Sequence, residues 1–82
     1  MKDLIINAGQ NLKTVLIDYT ENDGSNEGWR EVEPYSFRIK GGNEMFFAYD
    51  MNKKAIRGFI ISSINDIKIT ENKYNPRWEV EF

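Results

Sequence analysis

The 82-residue sequence predicts a mainly β fold, a small five-stranded antiparallel barrel with one short N-terminal helix. Three observations carry that expectation. Residues 32–50 read as a hairpin in which Tyr35, Phe37 and Ile39 alternate with Ser36, Arg38 and Lys40 before a Gly41-Gly42 turn. Short apolar runs recur from Leu12 to Glu71, each broken by polar or glycine-containing segments. A closed or half-open barrel also hides the edges that a long flat ribbon of such strands would expose.

The elements follow in order. Lys2 to Gln10 reads as a helix, with Leu4, Ile5, Ala8 and Leu12 on one face and Gly9 and Asn11 as stop signals. Nine residues are marginal as an isolated helix, so it must pack on the sheet. Leu12 to Thr20 is the first strand, with Val15, Ile17 and Tyr19 on one face. Glu21 to Gly28 is a polar loop with an Asp-Gly turn signal, and Trp29 to Lys40 is the second strand. Pro34 inside that strand cannot donate a ladder hydrogen bond, which predicts an edge or a bulge. Glu44 to Asp50, Ala55 to Ile61 and Asp66 to Glu71 complete the five strands, with Gly58 as a bend. The tail from Asn72 carries Tyr74, Trp78, Val80 and Phe82 and is expected to pack back onto the barrel.

Composition excludes several function classes. The length makes residues 1–82 one domain. With no cysteine there is no thiolate chemistry, no disulfide framework and no thiolate metal site, and a reducing, cytoplasmic home is the simplest reading. With no histidine there is no imidazole base near neutral pH, no Ser-His pair and no His-ligated zinc. The expectation is therefore a non-enzyme with no cofactor. The N-terminal apolar run, Leu4 to Ile6, is too short for a signal peptide or a membrane span. Net charge is −2 but uneven: residues 29–60 hold six basic against four acidic side chains, whereas residues 1–28 hold two against five. An acidic chain is a poor nonspecific DNA binder, but a local cationic site in the middle segment is compatible with this distribution.

Several stretches together resemble the WYL domain, a bacterial module of Sm-like fold. They are Ile17-Asp18-Tyr19 at the end of the first strand, Arg30-Glu31-Val32-Glu33-Pro34-Tyr35, the glycine turn followed by Met45-Phe46-Phe47, and Arg57-Gly58-Phe59-Ile60-Ile61-Ser62-Ser63-Ile64. The match extends from the leading helix to Tyr74-Asn75-Pro76. There are departures: the naming triplet reads Met45-Phe46-Phe47, and Ile60 and Ser63 stand where the family usually has arginines. No helix-turn-helix pattern fits in the ten N-terminal residues, so the resemblance is to a divergent member lacking that unit. It implies a ligand-sensing or nucleic-acid-binding module of bacterial transcription regulation, with Arg30 and Arg57 as the remnant of an anion site.

The candidate ligand-binding residues are Arg30, Arg57, Phe46, Tyr19 and Tyr35. Arg57 is a charge in an otherwise apolar strand, suited to a bidentate grip on phosphate or carboxylate, or to internal pairing with Asp18, Asp50 or Glu33. The aromatics offer stacking faces for a base, or core packing. Arg38, Lys40 and Lys68 are candidates for contacts to a nucleic-acid backbone, or simply solvated charges. Asp18 and Asp50 end strands and form a carboxylate pair only if the fold joins them. The expected partners are a nucleotide or single-stranded nucleic acid, and a helix-turn-helix domain or another protein, with a homodimer as one option. The alternative function is a protein-interaction or oligomerisation module with a decayed anion site.

Overall fold

The chain begins with α1 (Lys2–Gln10), followed by β1 (Lys13–Thr20), β2 (Asn26–Lys40), β3 (Asn43–Asp50), β4 (Ala55–Ile60), a 3-10 turn (Ile61–Ser63) and β5 (Ile64–Lys73). The computed structural model describes all residues from Met1 to Phe82. The strands form one antiparallel sheet in the order β4-β3-β2-β1-β5. The helix and five strands are thus as predicted. The sheet, however, is not closed into a barrel. β4 and β5 lie at opposite edges, and at the end of β4 the Ile60 N–H donates to the hydroxyl of Tyr19 on β1 (3.0 Å). Ile5 and Ala8 of α1 complete the core.

Alternation on β1 directs Val15, Ile17 and Tyr19 to the core face, opposite Val32 and Arg30 on one side and Ile69, Ile67 and Ile64 on the other. Phe46, Ala48 and Asp50 continue the core face on β3, and Arg57 and Phe59 on β4. The β2–β3 turn is formed as its glycines require, with φ of +58° at Gly41 and +80° at Gly42.

Pro34 marks a bulge, not an edge. β2 is the central strand, but its pairing with β1 stops at Val32, so no neighbour on that side needs a donor from Pro34. Against β3 the register shifts between Pro34 and Ser36. The extra residue breaks the alternation read from the sequence. Phe37 faces the core, whereas Tyr35 turns to the outer layer and Ile39 is exposed. Gly58 does not act as a bend: it sits opposite Phe47, whose ring lies 3.0 Å from where a Cβ would stand. Gly9 likewise lies within α1, where the Phe82 ring packs against it.

The tail covers the outer face of β2 and β3, as expected. Trp78 stacks on Tyr35 with ring centroids 3.7 Å apart, and Glu81 N–H donates to Tyr35 C=O (2.8 Å). Arg77 lies over the Tyr49 ring and pairs with buried Glu33, to which the Tyr35 hydroxyl also donates (2.8 Å). Burial of Tyr35, with Glu33 accepting the hydrogen bond of its hydroxyl, pushes the phenol from 10 up to about 12. The folded value exceeds the unfolded one, so the neutral phenol favours the fold. That contribution is complete below pH 10 and is lost as pH rises toward 12. Urea midpoints are therefore expected to fall over this range, and to fall less steeply in Tyr35→Phe, which has no phenol to ionise.

Candidate functional site

Arg30 and Arg57 stand 27 positions apart in sequence, yet both point from the core face into one corner of the sheet. Ile17 and Val32 set the face of Arg30, and Ala48 and Phe59 set that of Arg57. Both guanidiniums flank the Phe59 ring, at 5.9 and 4.8 Å from its centroid.

Two carboxylates meet them. Asp50 is 0% exposed and lies 3.4 Å from Arg30 Nη1 and 3.8 Å from Arg57 Nη1. Its other oxygen accepts the Asn52 and Lys53 backbone N–H groups at 2.9 and 3.2 Å, fixing it to the β3–β4 turn. Glu21 accepts both terminal nitrogens of Arg57 at 3.2 and 3.0 Å and lies 3.3 Å from Arg30 Nη2. The Arg57 hydrogen bond holds the Glu21 carboxyl below its ordinary value, against the opposing effect of burial. At the rim, Glu27 lies 3.6 Å from both Arg30 and Lys53.

Arg30 is incompletely satisfied. Its side chain is 3% exposed, and Nε and Nη2 are buried without a hydrogen-bond partner. A buried guanidinium normally has acceptors for its donors, so these two nitrogens mark capacity for another oxygen.

The other candidates are distributed differently. Phe46 lies in the core with Phe37 and Phe59 packed against it, and offers no free face. Tyr19 meets Phe59 edge-on at 5.0 Å with its hydroxyl engaged by Ile60. Tyr35 is buried under Trp78 on the opposite side of the sheet. Core packing therefore accounts for all three. Arg38 pairs with Glu81. Lys40 is exposed beside the hairpin turn, while Lys68 lies over Trp29. Lys68 aligns with Leu16 and hence Glu31, seven residues from Arg38 along β2, or about 23 Å at strand rise, so no continuous cationic stripe forms. Asp18 faces outward and binds Asn26, away from Asp50.

Of the internal partners weighed for Arg57, Asp50 is present, while Asp18 and Glu33 bind other groups. Sequence reasoning missed Glu21, the main partner, since it opens a segment read as a polar loop.

A family model for the WYL domain matches residues 2–69. Among solved structures, the chain is similar to proteasome accessory factor B/C (PafBC) of Arthrobacter aurescens, with a TM-score of 0.83 at 22% identity. The likeness covers 93% of this chain and 12% of that one, and at this identity it speaks to the fold. No curated protein matches. No helix is long and apolar enough to cross a membrane.

Proposed function

This chain belongs to the WYL domain family, and on that footing we propose that it is a non-catalytic sensing module that binds an anionic ligand at Arg30 and Arg57. The ligand class is a nucleotide or a short single-stranded nucleic acid, and the setting a bacterial regulatory system. The observation that carries the reading is the convergence of two guanidiniums on one corner, with two nitrogens of Arg30 lacking an acceptor. A guanidinium fork suits the paired oxygens of a phosphate.

Backbone-amide NMR titration with short oligothymidylates and mononucleotides tests the reading. Shifts are expected to cluster at Arg30, Glu21 and Ala55 to Phe59 and to weaken with salt. Arg57→Gln is expected to lower affinity about tenfold and to reduce the salt slope by about 1. Arg57 is 26% exposed and pairs with Glu21 and Asp50, so urea unfolding of the variant beside the titration separates lost binding from lost fold.

One observation favours the interaction-module alternative. Strand β4 is an edge whose only charge, Arg57, turns toward the core, and its exposed Ile56 leaves that edge without the usual charged protection. Silence in the titration combined with concentration-dependent sedimentation would place that alternative first.

A further inference from the structure

We infer that Glu21 is a built-in occupant of the anion site, displaced when the site takes a single singly charged oxyanion; this rests on the reading of Arg30 and Arg57 above. The two carboxylates in the corner differ in kind. Asp50 is wholly buried and tied to two backbone N–H groups, so it stays as a fixed counter-charge. Glu21 is 24% exposed, and its carboxylate touches only the two arginines. The Glu21 backbone is held independently, its N–H donating to Ser25 C=O and its C=O accepting from Gly24 N–H, at 2.8 and 2.9 Å. Leaving the site therefore requires rotation of one side chain, with no unfolding of the loop.

Glu21 also occupies the position that a ligand's oxygens need. It forks onto Arg57 as a phosphate would, yet lies 3.3 Å from Arg30 Nη2 without hydrogen-bond geometry and leaves Nε unpartnered. An oxyanion free of the chain is not tied to the Glu21 backbone and can turn to the orientation in which these nitrogens donate. The charge count then limits what fits. With Glu21 rotated out, two guanidiniums face Asp50 alone, leaving one uncompensated positive charge. Glu27 and Lys53 offset each other at the rim. A phosphodiester or a carboxylate matches that single charge, whereas a polyphosphate carries excess negative charge into a partly buried corner.

The test compares parent, Glu21→Gln, Glu71→Gln and Arg57→Gln by amide NMR titration at matched ionic strength. The probes are dimethyl phosphate, acetate, oligothymidylate and tripolyphosphate. Glu21→Gln is expected to bind dimethyl phosphate about tenfold more tightly than the parent. Glu71→Gln, with the same change in net charge on the opposite edge strand, is expected to stay within about twofold, which separates displacement from bulk electrostatics. A preference for acetate over dimethyl phosphate identifies a free carboxylate ligand, and tighter binding of oligothymidylate than of dimethyl phosphate identifies a nucleic-acid strand; both agree with the singly charged class. Equal affinity in parent and Glu21→Gln, with Arg57→Gln silent, overturns the displacement while leaving the anion site standing. Tightest binding of tripolyphosphate to Glu21→Gln overturns the single-charge limit. Absence of shifts in all four proteins overturns the site and this inference together.

Discussion

Asp50→Ala is expected to remove about 3–5 kcal/mol of stability, which for a domain of this size is most of what it has. The substitution leaves Arg30, 3% exposed, without its fixed counter-charge, and it strips the acceptor from the Asn52 and Lys53 N–H groups. Glu21 and Glu27 do not replace it, since they lie on the solvent side of the same guanidinium. Urea unfolding should show either a much lower midpoint or no cooperative transition. Asp50→Asn retains an oxygen for the turn but not the charge, and is expected to lose less, about 2 kcal/mol. Joint replacement, Arg30→Met with Asp50→Asn, should recover much of the loss, because a buried charge is costly chiefly when unpaired. An Asp50→Ala protein within about 1 kcal/mol of the parent would refute the fixed counter-charge, and with it the contrast between Asp50 and Glu21.

Features encoded locally were legible, and features created by distant pairing were not. The limits of α1 follow from an amphipathic run that ends at Gln10, and the hairpin turn follows from two glycines that reach positive φ. Arg57 stood out because a charge in an apolar strand demands a partner. Glu21 did not stand out, because its tie to Arg57 spans 36 residues and its neighbours Asn22, Asp23 and Gly24 form a genuine turn. Asn26 to Gly28 have the polar composition of a loop, yet they extend β2, since Asn26 pairs with Thr20. The bulge after Pro34 had a signal in the proline itself, but not which residue it would leave unpaired: Tyr35 loses its partner, while Phe37 keeps the core face. That shift took Tyr35 from the predicted apolar face to the outer layer, where Glu33 and Arg77 receive it. The missing barrel closure had no local signal: it depends on whether β4 and β5, at opposite ends of the strand order, meet.

Phe46 separates a packing role from a binding role most sharply, and Phe46→Ala is expected to destabilise by about 3–5 kcal/mol. The ring is fully buried, 6.1 Å from Phe37 and 6.2 Å from Phe59, so truncation opens a cavity among aromatic neighbours that are themselves tied to α1 and the tail. A stacking residue behaves otherwise: its loss weakens ligand binding by about 1–3 kcal/mol and spares the fold. Phe46→Leu distinguishes the two without unfolding the protein, since a smaller apolar change costs about 1 kcal/mol or slightly more. Its urea midpoint should fall modestly while its affinity for oligothymidylate stays within about twofold of the parent. Loss of affinity by tenfold or more in a folded Phe46→Leu protein would mean that ligand binding opens the core at this ring. Phe59, which carries both guanidiniums on its faces, would then have to move with it, and the corner formed by Arg30 and Arg57 would no longer be preformed.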